Sequence, residues 1–360
     1  MNRLKSFLFC AFALLTVSCL SGCGGSETIE ARAEYIIPEN AIILDSRVAD
    51  VYGDADAIVT IISDDGMYDS CVNLDRIFGE RNLKCTVAGA IKFVKPYQNE
   101  WNELLGHGTI NLVSHSYDHI RIEDGKPVGN NKLAIYHEIV DADEWYENWL
   151  GTEQIVYVCP ENTMSEKGYE ILSDNSFWAV RRGNRGYNSL SPEEGVEPGQ
   201  WFNLMVQGIC DDGVDTDVRN LWVDAATNDH TWLIEMWHNV MPDYDGCYQT
   251  ILLPDAEVHL DYIVDMSEKG HIWVATFDEA VKYLREKQNI KLYTYILDGK
   301  IYLYAELTDD RMSYETFDQP LTLIITIPDD YYPEGLLSDN HMKIDIVPGN
   351  EYVFDVAGDL

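Results

Sequence analysis

Three short clusters hold most of the reactive side chains in this sequence. Asp64-Asp65-Gly66 ends one apolar run, Ser114-His115-Ser116-Tyr117-Asp118-His119 ends a second, and Met236-Trp237-His238-Asn239-Val240 ends a third. Two histidines four apart can lie one helical turn above each other and aim both imidazoles at one ion. Adding a carboxylate gives a two-histidine, one-aspartate set suited to zinc or a similar divalent ion. Three protein ligands leave a position open for water, as a catalytic site requires. The second aspartate of the pair cannot easily point the same way, which frees it to act as a base, and a third histidine elsewhere could be the acid. Each piece alone is commonplace, since Asp and Gly build ordinary turns.

The elements around these clusters alternate. Residues 57–62 form a continuous β-branched run, the pattern of a buried strand. Helical spacing follows at 69–81, then strands at 84–90 and 109–113 with a helix between them at 101–105. Residues 133–149 read as one amphipathic helix. Beyond it come strand 154–158, helix 166–173, strand 177–180, helix 224–229, strand 232–237, strand 272–276 and helix 278–287. Strands alternating with helices predict a parallel sheet or barrel, and in a barrel the strand ends share the face that carries the site. After Gln288 the texture changes to short strands without helices, starting with a hairpin whose turn is Asp298-Gly299. The expected organisation is a barrel over 57–288 followed by a small all-β, sandwich-like domain over 289–360.

The N-terminus reads as an export signal. Arg3 and Lys5 precede an apolar run at 7–15, too short to span a bilayer. Leu20-Ser21-Gly22-Cys23 resembles a bacterial lipobox, which makes 1–22 a lipoprotein signal peptide and Cys23 the lipidated residue. Residues 23–56 are then a tether and extension, and the protein is expected to be a membrane-anchored, extracytoplasmic lipoprotein held by its lipid alone. The formal net charge of −37 makes nucleic acid a poor partner, because phosphate backbones need basic patches. Cys71, Cys85, Cys159, Cys210 and Cys247 are odd in number and lack C-x-x-C spacing, so buried free thiols are expected. His107, His230, His259 and His271 have no partners at ligand spacing and are expected at the surface or in turns.

In order and setting, the three clusters resemble the polysaccharide deacetylase family, also called NodB-homology or carbohydrate esterase family 4. The family's first motif, T-F-D-D-G, reads Ile62-Ser63-Asp64-Asp65-Gly66 here. Its second, H-[S/T]-x-x-H, matches His115-Ser116-Tyr117-Asp118-His119, and its last matches the apolar strand ending in His238. The likeness covers residues 58–288. It implies an α/β fold, a deformed (β/α) barrel, with a groove for an acetylated polysaccharide or oligosaccharide. It also implies Asp65, His115 and His119 as ligands of one divalent ion (zinc, or cobalt or nickel), Asp64 as general base and His238 as general acid. The implied reaction removes N- or O-acetyl groups from carbohydrate by an activated water.

Two departures stand out. The third motif, normally R-x-P-Y, reads Val158-Cys159-Pro160-Glu161-Asn162 and lacks the arginine that steadies the base; Arg181 or Arg182 could replace it. The aspartate that pairs with the acid histidine has only Asp211, Asp212 and Asp224 as candidates. Tyr117, Pro160, Arg181 and Trp237 are the candidate substrate contacts, and Trp237 fits the barrel core equally well. The altered motif also supports a second reading, a glycan-binding surface lipoprotein that keeps the metal site but turns over poorly.

Overall fold

The apolar run at 57–62 becomes the strand Ala57–Asp65, buried throughout except at its last residue. Its side chains alternate, as the two-residue strand period requires. Ile58 and Ile62 enter one core cluster, while Ala57, Val59 and Ile61 pack outward against helices. Six further strands run parallel to it: Cys85–Gly89, Ile110–Ser114, Val156–Val158, Ala179–Arg185, Leu204–Gly208 and Trp232–Trp237. The last pairs back onto the first, with Ser63 opposite Trp237, and so closes a seven-stranded parallel barrel. The short strand Ile272–Val274 pairs along the start of Ala57–Asp65. The closure is uneven. A single register pair, Ser114 with Tyr157, joins the third and fourth barrel strands, and the register slips between Arg181 and Arg185. The fold is α/β, a deformed (β/α) barrel with small antiparallel sheets beside it.

The computed structural model describes residues 35–193, 200–208, 216–243, 248–328 and 341–355. The expected signal peptide, Cys23 and the expected Gly24–Ser26 tether lie outside the described residues, as do Cys210, Asp211, Asp212 and Cys247. Cys71, Cys85 and Cys159 are buried free thiols. No helix among the described residues is long and apolar enough to cross a membrane.

Where one amphipathic helix was expected at 133–149, the chain forms Lys132–Tyr136, a π-helical turn His137–Asp141 and Ala142–Leu150. The wide turn buries Glu138 beside the second histidine cluster; π-turns often occur at such places. Among the elements that escaped the sequence reading are the strand Leu204–Gly208, the 16-residue helix Leu253–Glu268 and the short strands Ile42–Ile43, Asp45–Val48, Asn239–Met241 and Thr250–Leu252.

The C-terminal strands form two antiparallel sheets. Ile290–Leu297, Lys300–Leu307 and Glu351–Asp355 make one, and Leu321–Thr326 and His341–Ile346 belong to the other. Asp298 and Gly299 both take positive φ, the type I′ geometry of a two-residue hairpin. Each sheet also takes a strand from the N-terminal side, Ile42–Ile43 on Ile290–Leu297 and Asp45–Val48 on Leu321–Thr326. Residues 39–360 form one compact unit. Phe277, Val281 and Leu284 of the helix Phe277–Gln288 share a core with Ile296, Leu303 and Leu323.

Candidate functional site

The three clusters meet at the C-terminal ends of the barrel strands. Asp64 and Asp65 close the first strand and point to opposite sides of it. Asp65 and Gly66 both have positive φ. Gly66 is required there, because a Cβ would lie 3.0 Å from the Gly89 Cα. This strained turn places the Asp65 carboxylate 3.0 Å from His119 Nε2 and 3.7 Å from His115 Nε2. The ligand atoms of Asp65, His115 and His119 all lie within 4.8 Å of one another, close enough to hold one metal ion.

The two histidines do not stack on a helical turn, as their spacing suggested. Residues 115–119 form an irregular loop in which Ser116 and His119 take positive φ. The His119 N–H donates to Ser116 Oγ at 3.0 Å. The carbonyls of Ser116 and Tyr117 accept from Ile91 and Lys92 N–H. The Asp118 N–H donates to the buried carboxylate of Glu138 at 3.0 Å. His115 is buried, and its Nδ1 lies 2.8 Å from the Val158 carbonyl. A carbonyl can only accept, so Nδ1 carries a hydrogen and Nε2 is the nitrogen that faces Asp65, the arrangement typical of metal-ligating histidines. Burial alone would raise the Asp65 carboxyl, but the facing imidazoles outweigh it and hold it well below the usual carboxylate range. Burial likewise favours neutral His119, and Asp65 outweighs it to raise that pKa. An electron-rich, preformed donor set of this kind fits a divalent cation.

Asp64 points inward, only 4% exposed. Arg181, fully buried, places Nη2 at 2.5 Å from both of its carboxylate oxygens. Asp64 thus receives a charged partner from the fifth barrel strand, which residues 158–162 do not provide. Its Nη1 donates to Asn162 Oδ1 at 3.1 Å. Asn162 reaches that position because residue 183 is glycine: a Cβ there would sit 2.3 Å from the Asn162 Cγ. Arg181 is therefore committed to Asp64, where the sequence reading also had it as a substrate contact.

His238 follows the seventh barrel strand. Its carbonyl accepts from Ser63 Oγ at 2.7 Å, which ties the first and last strands together beside the site. Burial lowers its pKa, with Asp64 and Asp65 acting against that. Its Nδ1 is buried without a hydrogen-bond partner among the described residues. Asp224, one candidate for that partner, instead accepts a hydrogen bond from the Tyr262 hydroxyl.

The other candidate contacts are placed less favourably. Trp237 is 1% exposed and packs against Phe78 on the helix side of the strand. With side chains alternating, the neighbour of an inward-facing His238 must point out, so Trp237 takes the core role. Pro160 is buried. Tyr117 is half-buried and packs against His137, with ring centroids 4.3 Å apart and planes tilted by 32°. His259, expected at the surface, is fully buried and bridges Asn220 and Glu235; the burial is compensated by that carboxylate. His107 and His271 are about half exposed and paired with Asp75 and Asp56.

No family model matches the chain, and no curated protein matches it in sequence. Solved structures do match it. A putative polysaccharide deacetylase from Mycobacterium smegmatis has a TM-score of 0.52 at 13% identity, covering 67% of this chain and 94% of that one. A family 4 acetyl xylan esterase from Clostridium thermocellum, in complex with a cobalt ion, has a TM-score of 0.42 at 14% identity over 62% of this chain and 89% of that one. A CE4 family pseudoenzyme from Bacillus anthracis has a TM-score of 0.43 at 13% identity over 62% and 65% of the two chains. The first of these establishes the fold as that of the polysaccharide deacetylases.

Proposed function

We propose that this chain is a metal-dependent hydrolase that removes acetyl groups from carbohydrate. The observation that carries the reading is the convergence of Asp65, His115 and His119 beside the buried Asp64–Arg181 pair, with His238 at the same barrel mouth. Asp65, His115 and His119 would hold one divalent ion, with zinc the first choice and cobalt or nickel the others. Such an ion acidifies water and polarises an acyl carbonyl. Asp64 takes the proton of the attacking water, and Arg181 fixes the direction in which that carboxylate presents its lone pairs. His238, biased toward its neutral form by burial, takes up a proton from solvent and delivers it to the departing sugar nitrogen or oxygen, while Asp64 returns the water proton to solvent. The substrate is an acetylated polysaccharide or oligosaccharide, N- or O-linked.

Acetate release from acetylated xylan, chitooligosaccharide and peptidoglycan, measured beside metal content, tests this reading. Metal-loaded protein that binds glycan yet releases no acetate would support the second reading, a glycan-binding protein with impaired turnover. The displaced arginine favours turnover, since binding alone needs no steadied base. We further propose that Cys23 carries lipid and anchors the protein outside the cytoplasm. Cys23→Ser should then release it from the membrane fraction, and tight attachment of a cleaved Cys23→Ser protein would refute the anchor.

A further inference from the structure

Beside His238 stands an aromatic side chain that none of these roles uses. Tyr248 exposes 66% of its surface. Its ring is edge-on to the His238 imidazole, with centroids 5.0 Å apart and planes at 87°. An exposed tyrosine on a loop ordinarily turns freely, but this one is held at both ends. Its carbonyl accepts from Asn239 Nδ2 at 2.9 Å, and its hydroxyl accepts from Gln249 Nε2 at 3.1 Å. Asn239 opens the short strand Asn239–Met241, which pairs in parallel with Thr250–Leu252. The two parallel strands start side by side, so the same end of the ribbon carries both His238, just before one strand, and Tyr248, just before the other. Core packing does not explain the placement, since 66% of the residue is exposed.

A second ring borders the opposite group. Phe93, half-buried, lies 6.0 Å from His119, with the Lys92 ammonium 4.5 Å from its centroid. One aromatic thus flanks the metal-ligand set and another flanks the candidate acid. Flat aromatic faces suit the C–H face of a pyranose ring, whose hydroxyls point sideways to polar partners. The chain carries 62 acidic against 25 basic residues, and beyond Asp64 and Asp65, which Arg181 and the ion would offset, Asp118 and Glu161 stand near His119. A polyanionic glycan would meet repulsion there.

We propose that Tyr248 is a substrate-stacking residue that takes the apolar face of an uncharged pyranose unit, so that the sugar chain runs past His238 on the Tyr248 side. This rests on the carbohydrate-hydrolase reading and adds the direction of the chain and its charge class.

The test compares Tyr248→Ala and Tyr248→Trp with the parent, all metal-loaded, on acetylated xylotetraose and on 4-nitrophenyl acetate. Binding of unacetylated xylotetraose and of trigalacturonate is measured by calorimetry. Tyr248→Ala should raise KM for the oligosaccharide about tenfold more than for the aryl ester, with the larger change in KM rather than kcat. It should weaken xylotetraose binding by a similar factor, and Tyr248→Trp should restore both. Equal losses on the two esters, xylotetraose binding that Tyr248→Ala leaves intact, or no xylotetraose binding by the parent would overturn the stacking role. Tighter binding of trigalacturonate than of xylotetraose would overturn the charge class. If the parent hydrolyses neither ester but Tyr248→Ala still weakens xylotetraose binding, the hydrolase reading fails while the stacking role stands.

Discussion

Replacing Arg181 by methionine keeps most of its volume and removes its charge. Arg181 is fully buried and Asp64 is 4% exposed, with Nη2 at 2.5 Å from both carboxylate oxygens. Removing one member of such a pair leaves the other charge buried and uncompensated, at a cost of about 3–5 kcal/mol. Asp64→Asn should cost a comparable amount for the same reason. In the double variant neither charge remains, so its loss should fall short of the sum of the single losses by about 2 kcal/mol or more. Guanidinium unfolding followed by tryptophan fluorescence, with a chelator present to exclude metal effects, measures all four corners of the cycle. Additive losses, or an Arg181→Met protein within about 1 kcal/mol of the parent, would show that the pair is not coupled and that Arg181 does not steady the base.

Other substitutions separate the remaining roles. His119→Ala should lose bound metal and acetate release together, whereas His238→Ala should keep its metal and lose rate by about 10²-fold or more; elemental analysis beside acetate release decides, and a metal-free His238→Ala would refute the division. Glu138→Ala frees the Asp118 N–H and should weaken metal affinity by about 10–100-fold in a chelator competition, with Glu138→Gln milder because it still accepts that bond. Burial raises the Glu286 carboxyl from 4.5 to about 9, so the folded chain keeps a proton that the unfolded chain releases. Its contribution to stability is complete below about pH 4.5 and is lost as pH rises toward 9. Glu286→Gln should flatten that decline in Tm, and an unchanged slope would count against the assignment.

Much of the site was legible because it follows strand ends. The run at 57–62, stopped by Asp64-Asp65-Gly66, names both a strand and its exit. The spacing of His115 and His119 names a ligand pair but not its backbone, because the loop depends on Glu138, Ile91 and Lys92, which are remote in sequence. Strand alternation alone could have turned Trp237 away from the groove. Arg181 stood out only as one of two candidates, since nothing local says that the fifth barrel strand delivers its side chain to the first. The helix Leu253–Glu268 went unread because its buried face includes His259, which looks polar until Glu235 is known to meet it. Leu204–Gly208 is five residues with alternating burial, too short to stand out. The strands at 42–48 have partners some 250 residues away, and no window on the sequence spans that distance.

Those early strands also set an order of events. Ile42 pairs with Ile296, and Val48 with Leu323, so the first of the described strands wait for nearly the last. The barrel between them can close part of its apolar surface as it emerges. The face of Phe277–Gln288 that packs against the sheets stays uncovered until both ends arrive. Pairings this remote in sequence make folding slow, because the loop they close must be fixed before any contact rewards it. A ribosome or a translocation pore feeding the chain from its N-terminus would hold an unsealed barrel until the last strands emerged. A chain cut short after Gln288 would leave Ile42–Val48 as unpaired edges, the kind of surface that recruits other chains.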